Sequence, residues 1–394
     1  MMKKKLILSL FVGLIYLPGV FSQHPKDTIV YLLTCGPGTE TYSIYGHSAL
    51  RVVIPSKNSD TVYNWGVFDF STSNFAWKFA KGRLNYMLNS DPVDRFLDGY
   101  IYENRFVVSQ EINLSSSETA ILLALINENL KPENRSYRYD FFYDDCSTRI
   151  RDLFEKSIGA KLLYPPVELK KLPTFRKMVG KYQAPYPWLT FGINLIMGAP
   201  GDKPAVYRDR MFLPIDLKEE LSQAVVNRSG KMIPLLQNPQ TLIDFEAPAV
   251  KKNLLISPVV VFTLLLIITL IISARVKSRR SNNLLDLLVF FAFSVLAILM
   301  IFFNFFTDHQ QMKWNLNILW LNPFILICLV SLLLRIRRTI WFRIVFYISA
   351  IFLVIHFILP QSFDMAIIPL VLILLIRSSV RGDFDWNPIT IEQP

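Results

Sequence analysis

Cys146 and His47 are the side chains of this sequence best suited to covalent chemistry. Cys146 opens the run Cys146-Ser147-Thr148-Arg149-Ile150-Arg151-Asp152-Leu153-Phe154. Ile150, Leu153, Phe154 and Ile158 recur at helical spacing, and Cys146 lies four residues before Ile150 on that stripe. A thiol in the first turn of a helix lies at the positive end of the dipole, which favours the thiolate. Arg149 adds a positive charge. Asp144 and Asp145 oppose it, and either can cap the helix. His47 belongs to Tyr45-Gly46-His47-Ser48-Ala49-Leu50-Arg51-Val52-Val53, where alternation puts His47, Ala49 and Val53 on one strand face. A thiol nucleophile needs an imidazole to take its proton and a polar group to orient that imidazole. In Val62-Tyr63-Asn64-Trp65-Gly66 the first choice for the orienter is Asn64 and the second is Tyr63. Taken singly, a buried structural cysteine and a half-buried strand histidine are the competing readings. Joint placement would make them a pair.

The elements that must position this pair are mixed α and β. Residues 28–33, 47–54, 61–68 and 105–111 read as strands, with 55–60 as a hairpin loop. Ser115 with Glu118 matches a capping box and opens a helix to about Leu130. Asp145 or Cys146 opens the helix that carries the thiol, which stops near Ile158 at Gly159. From 162 to 217 the chain reads as loop-rich, with eight prolines. Within it, Tyr186-Pro187-Trp188-Leu189 and 191–197 are too apolar for a surface loop. Cys35 and Cys146 are the only exported cysteines, so they either form one disulfide or leave at least one working thiol.

A composition of 52% hydrophobic residues is high for a soluble domain, and the excess is concentrated in two places. A basic start, Met1 to Lys5, precedes an apolar stretch to Val20, which reads as a secretory signal peptide ending at Ser22. No cysteine follows that site, so the chain is not expected to be a lipoprotein itself. Residues 23–250 then form an exported domain, 251–381 a membrane bundle and 382–394 a cytoplasmic tail. Apolar runs at 254–274, 284–303, 316–334, 340–359 and 363–376 give about five spans. Arg275, Lys277, Arg279, Arg280, Arg335, Arg337, Arg338, Arg377 and Arg381 all fall inside the cell if every run crosses. That pattern accounts for much of the net charge of +11 and argues against a nucleic-acid partner. His356 and Cys328 lie within apolar runs and read as packed residues. No Gly-x-Ser-x-Gly elbow, phosphate loop or His-Glu-x-x-His is present, and four scattered histidines argue against a metal or other cofactor.

Several segments resemble the Lnb family of Bacteroidota lipoprotein N-acyltransferases. They are Thr34-Cys35-Gly36-Pro37-Gly38, Tyr45-Gly46-His47-Ser48-Ala49, Tyr63-Asn64-Trp65-Gly66 and Tyr137-Arg138-Tyr139-Asp140. The likeness continues through Asp145-Cys146-Ser147-Thr148-Arg149-Ile150-Arg151-Asp152, Met211-Phe212-Leu213-Pro214, and Asn315, Asn317 and Asn322-Pro323. It covers nearly the whole chain, with one departure: the family has Asn where Asp145 stands. The order of strand His before helix Cys also resembles circularly permuted papain-like enzymes of the NlpC/P60 and lecithin:retinol acyltransferase type.

The resemblance implies an α+β, permuted papain-like (NlpC/P60-like) periplasmic domain followed by the helical membrane bundle. It implies Cys146 as nucleophile, His47 as general base and Asn64 as orienter. The implied reaction moves an acyl chain from a phospholipid donor to the amine of a diacylated lipoprotein acceptor. Two bilayer-anchored substrates suit a tethered catalytic domain, and a thioester must be shielded from water. Trp188 and the apolar stretch after it are expected to form an acyl groove with the bundle. Arg149, and His309 and Lys313 of the outer loop 307–315, are expected to touch substrate. The rival expectations are a cysteine peptidase or amidase acting on cell-wall peptides, and a non-enzymatic envelope assembly module.

Overall fold

The computed structural model describes residues 28–166, 172–246, 254–275, 279–336 and 338–384. The expected signal peptide, Lys277, Arg337 and all of the tail beyond 384 lie outside the described residues.

Ten strands are present among these residues: β1 (Ile29–Cys35), β2 (His47–Ile54), β3 (Ser59–Val67), β4 (Asn85–Pro92), β5 (Val107–Glu111), β6 (Ser136–Arg138), β7 (Leu162–Leu163), β8 (Val225–Arg228), β9 (Lys231–Pro234) and β10 (Gln240–Ile243). Seven form an antiparallel sheet in the order β10-β5-β1-β2-β3-β4-β6, and β7-β8-β9 form a small second sheet. The helices are α1 (Phe75–Ala80), α2 (Val93–Tyr102), α3 (Ser116–Leu130), α4 (Cys146–Ile158), α5 (Phe175–Gln183), α6 (Pro187–Ile196), α7 (Pro214–Gln223), α8 (Pro258–Arg275), α9 (Arg279–Phe305), α10 (Phe324–Leu333), α11 (Thr339–Ile355) and α12 (Ile367–Arg381), besides shorter turns.

Alternation along the central strands gives the sheet two apolar faces. Leu32, Leu50, Val52, Trp65 and Leu88 face α3, α4 and α7 and pack with Leu122, Cys146, Ile150, Phe154 and Leu217. Leu33, Cys35, Ala49 and Val62 face α2 through Val93 and Phe96. The helical stripe read for Cys146, Ile150, Phe154 and Ile158 is therefore the face that seats α4 on the sheet. The capping box of α3 forms as expected, Ser115 accepting from Glu118 N–H and Glu118 accepting from Ser115 N–H.

The stretch from 162 to 217 differs from the loop expected. It holds α5, α6 and the start of α7, because Pro187 and Pro214 each sit in a first helical turn, where a missing N–H costs nothing. α6 bridges two cores: its Ile193 packs with the cluster of Phe175 and Met178. Its Phe191 and Leu195 pack in the core of the membrane helices, with Phe290, Trp320 and Leu321.

Among the described residues one helix alone is long and apolar enough to cross a membrane, Asn282–Phe305, while Pro258–Ala274, Phe324–Leu333 and Thr339–Ile355 are shorter apolar helices. The third apolar run is interrupted: a 3-10 turn, Leu316–Leu319, is followed by Asn322-Pro323 and then α10. Pro323 cannot donate a backbone bond, and non-helical backbone at this depth needs polar partners within the protein. Asn315, Asn317 and Gln361 supply them. Both asparagines donate to the Leu195 carbonyl at the end of α6, at 2.8 and 3.0 Å, and Gln361 Oε1 accepts from Leu316 N–H.

One run that reads as apolar conceals an ion pair. Arg377 of α12 is fully buried and donates to the buried Asp286 of α9 at 2.6 Å and to Ser273 of α8 at 2.7 Å, and Arg381 also pairs with Asp286. The carboxylate thus ties α9 to α12, and Arg377 carries the link on to α8 through Ser273. Removing the carboxylate leaves a buried guanidinium without its counter-charge, which typically costs about 3–5 kcal/mol. Asp286→Ala should therefore lower the thermal unfolding midpoint of the purified protein markedly, and adding Arg377→Met should recover most of the loss. An unchanged midpoint in the single variant would contradict this role for the pair.

Candidate active site

The thiol helix begins at a well-made cap. Asp145 is extended, its Oδ1 accepts from Thr148 N–H at 2.8 Å, and its own N–H donates to Thr148 Oγ1 at 2.7 Å. Cys146 is thereby fixed as the first residue of α4. Its Sγ lies 3.8 Å from Ser147 Oγ and accepts from the backbone N–H of Ser48 in β2. Ser48 Oγ and Ser147 Oγ meet at 3.3 Å, closing the seam between strand and helix.

His47 stands at the other side of that seam. By alternation it shares its face with Ala49 and Asn64, whereas Ser48 and Leu50 face α4. His47 Nε2 donates to Asn64 Oδ1 at 2.6 Å. The amide oxygen can only accept, so Nε2 carries the hydrogen and Nδ1 is the basic nitrogen. Among the described residues no hydrogen bond joins His47 directly to Cys146. They are brought together through adjacent residues of β2, the sulfur resting on the amide that follows His47.

Two glycines permit this arrangement. Gly46 has φ +80, and a Cβ there would lie 2.7 Å from the Cys35 carbonyl oxygen. Gly66 has φ +90, a conformation that a side chain would strain, and a Cβ there would meet His47 Cε1 at 4.0 Å and Tyr139 Cε2 at 3.9 Å in ordinary contact.

The electrostatics differ from the sequence expectation of a thiolate. Burial raises the Cys146 thiol above its ordinary value, although the Ser48 amide and Ser147 work against it. Burial also lowers the His47 imidazole from 6.5 to about 4, opposed by its bond to Asn64. At neutral pH the resting pair is therefore thiol and neutral imidazole. Arg149 does not offset the burial. It is held by Asp144 through two bonds of 2.6 and 2.9 Å and lies 3.4 Å over the Tyr137 ring. Asp145, fully buried beside the thiol, is held well above the usual carboxylate range by desolvation.

Cys35 is a free thiol, as is Cys146, so the disulfide alternative is excluded. It ends β1 directly opposite His47 but packs toward α2, and burial pushes it up to about 12. Tyr63, the second choice for orienter, points to the α4 side of the sheet, whereas Asn64 reaches the imidazole.

Of the residues expected to touch substrate, Trp188, His309 and Lys313 make contacts between the two parts of the chain. Trp188 donates through Nε1 to the Ile256 carbonyl at 2.8 Å and meets Phe262 edge-on at 5.5 Å, so it docks the domain on α8 rather than lining an open groove. His309 Nε2 donates to the Phe79 carbonyl at 3.0 Å. Lys313 passes so close to the periplasmic domain that a Cβ on Gly198 would lie 2.0 Å from its carbonyl oxygen. The outer loop is thus a clasp: Asp308 pairs with Arg83 and Arg138, and Gln311 bonds Asp140. Sequence reasoning missed Ser48 as the amide on the sulfur, although it directly follows His47. It also missed Gly66 and Tyr139, which carry no chemical signature of their own.

The fold and this site define a two-part chain, a sheet-based periplasmic domain with a helix-start thiol docked on a helical membrane region. Residues 22–178 match the model of the Lnb N-terminal periplasmic domain, and residues 250–382 match that of the Lnb transmembrane domain. The chain belongs to the Lnb family. It is a membrane protein with a periplasmic domain, and its family places it in lipoprotein biosynthesis. No curated protein and no solved structure matches it.

Two outcomes follow from this geometry. Asn caps a helix as well as Asp does, so Asp145→Asn should keep the unfolding midpoint and the reactivity of Cys146 towards an alkylating probe. Asp145→Ala should cost about 0.5–2 kcal/mol, and equal behaviour of the two variants would contradict the cap. For His47, the unfolded chain binds a proton below 6.5 while the folded chain does so only near 4. The neutral imidazole therefore contributes its stability fully above 6.5, and this is lost as pH falls from there towards 4. Unfolding midpoints of His47→Gln across that range should fall less steeply than those of the wild type. Parallel curves would show that His47 is not buried neutral.

Proposed function

We propose that this chain is a lipoprotein N-acyltransferase of the inner membrane, with Cys146 as nucleophile, His47 as general base and Asn64 as the residue that orients the base. The observation that carries this reading is the 2.6 Å bond from His47 Nε2 to Asn64 Oδ1 one residue from the amide that holds the Cys146 sulfur. That bond leaves Nδ1 to take a proton. In the first half-reaction the Cys146 sulfur attacks an ester carbonyl of a phospholipid, and its proton passes to Nδ1. The lysophospholipid oxygen leaves with that proton, and the acyl group stays on sulfur as a thioester. In the second, the amine of a diacylglyceryl-cysteine attacks the thioester, an amine proton passes to His47, and the thiol is restored.

The neutral resting pair suits this cycle, because the proton moves only when a carbonyl is in place. The N–H groups of Cys146 and Ser48, both beside the sulfur, are suited to stabilise the developing oxyanion. Burial of the Cys146 sulfur keeps water from the thioester.

The order of strand imidazole before helix thiol on an antiparallel sheet supports a permuted papain-like reading of the periplasmic domain. Five crossings of 251–381, with the tail in the cytoplasm and the exported domain at 23–250, fit the charge pattern. Both substrates are anchored in the bilayer, which supplies a reason for the clasped membrane helices that a soluble cell-wall peptide substrate does not.

Complementation in a strain lacking the gene, read by mass spectrometry of lipoprotein N-termini, tests the reading. Cys146→Ser and His47→Ala should each leave lipoproteins diacylated, the double variant being no worse than either alone. Asn64→Ala should fall between these and the wild type, and Cys35→Ala should retain most activity. Triacylated lipoproteins from a Cys146→Ser strain would end the proposal.

A further inference from the structure

A polar cleft of about 350 Å³ lies on the sheet edge, lined by Asp69, Thr72, Lys78, Arg83, Asn85, Met87, Ser136 and Arg138. Its charge is unbalanced. Arg83 and Arg138 share the single carboxylate of Asp308, and among the described residues Lys78 has no ion-pair partner. Asp69 is turned into its own loop, accepting from the N–H and hydroxyl of Ser71. A cleft with three cations and hydroxyl donors is chemically matched to a phosphate diester.

The position of the cleft adds a second, independent constraint. Lys78 belongs to α1, whose neighbouring aromatic side chains are left in the open: Trp77, Phe79 and Phe70 are 56, 54 and 70% exposed. Trp77 meets Phe302 of α9 at 5.6 Å, one turn from the periplasmic end of that helix. Large aromatics beside lysines at the end of a membrane helix are the composition of a bilayer interface. His309 holds this segment in place through the Phe79 carbonyl, with Gly82 packed against its ring.

The sheet register connects the cleft to the imidazole. Asn64 pairs with Asn89, Val67 with Met87, Met87 with Ser136 and Asn85 with Arg138. Partners across strands and alternate residues along them share a face. The cleft residues of β4 and β6 therefore project from the same face as Asn64, which holds His47. Two strand spacings separate Asn64 from β6, about 10 Å. Gly66 of β3 lies beside His47 and Tyr139, where even a Cβ would make only ordinary contact with both rings.

We propose that this cleft holds the phosphate of the donor phospholipid, with α1 lying in the membrane surface, so that the glycerol esters extend along the sheet towards His47 and Cys146. This assignment rests on the phospholipid-dependent acyl transfer proposed above.

The test uses full-length protein in nanodiscs and follows acyl-enzyme formation at Cys146 by intact mass. Two donors are compared: phosphatidylglycerol, and a short-chain soluble thioester that has no phosphate. Lys78→Glu with Arg138→Gln should raise the KM for phosphatidylglycerol at least tenfold, change kcat by less than twofold and leave the thioester rate unaltered. An unaltered KM for the lipid would overturn the assignment, as would equal losses with both donors, which would mark a folding or active-centre defect. Inorganic phosphate that blocked thioester and lipid alike would point to a free-anion site and also overturn it. Wild-type protein acylated by the thioester and never by the lipid would overturn the donor reading itself, and the cleft assignment with it.

Discussion

The bond from His47 to Asn64 is the constraint on which the site depends. An amide oxygen accepts and cannot donate, so the bond places the hydrogen on Nε2 and leaves Nδ1 with a free lone pair. It holds only because β2 and β3 are paired in one register, Leu50 against Tyr63, which puts Asn64 one diagonal from His47. A slip of one residue would send Asn64 to the other face of the sheet. The same register sets Ser48 against α4, where its amide meets the sulfur and its hydroxyl meets Ser147. Thiol and imidazole thus take their positions from one short hairpin and one helix cap. Burial then makes both neutral, raising one and lowering the other.

The periplasmic domain and the membrane helices are joined by polar backbone contacts as well as by apolar packing. The end of α6 offers the Leu195 carbonyl, and Asn315 and Asn317 converge on it. Gly198 accepts the close approach of Lys313, and its N–H donates to the Gln311 carbonyl at 2.8 Å. Arg176 braces the neighbouring turn through Asp202 and the carbonyls of Met197 and Gly198. Satisfied contacts of this kind hold one orientation more strictly than apolar area alone. For the acyl transfer proposed above, a fixed orientation would bring the site to a carbonyl at the membrane surface.

Much of this was legible in the sequence where a residue type and its spacing carry one meaning. The β2 bounds, the capping box at Ser115 and the inner stripe of α4 follow from period and cap chemistry. Asn64 and Tyr63 are both polar, so residue type left the choice of orienter open, and it is the strand register that brings Asn64 to the imidazole. The electrostatic expectation differs from the structure chiefly because burial raises the thiol, and sequence shows neither burial nor whether a nearby charge already has a partner. Arg149 sits one turn from the thiol, yet Asp144 and the Tyr137 ring already hold it. Trp188, His309 and Lys313 were chosen for suitable chemistry and turned out to join the two domains. The helices within 162–217 were hidden by their prolines, which start helices as readily as they break them. β4 was missed because Asn85-Tyr86-Met87-Leu88-Asn89-Ser90-Asp91-Pro92 shows little strand composition, and its place is set by β3 and β6 on either side.

The central claim is that acyl groups pass through the sulfur of Cys146. Full-length protein incubated with phospholipid vesicles and no acceptor, then digested and mapped by mass spectrometry, tests it most directly. The account predicts a hydroxylamine-labile acyl group on the Cys146 peptide, none on the Cys35 peptide, and loss of the adduct on adding a diacylated lipoprotein peptide. Acceptor acylated at the wild-type rate by Cys146→Ala protein would contradict it.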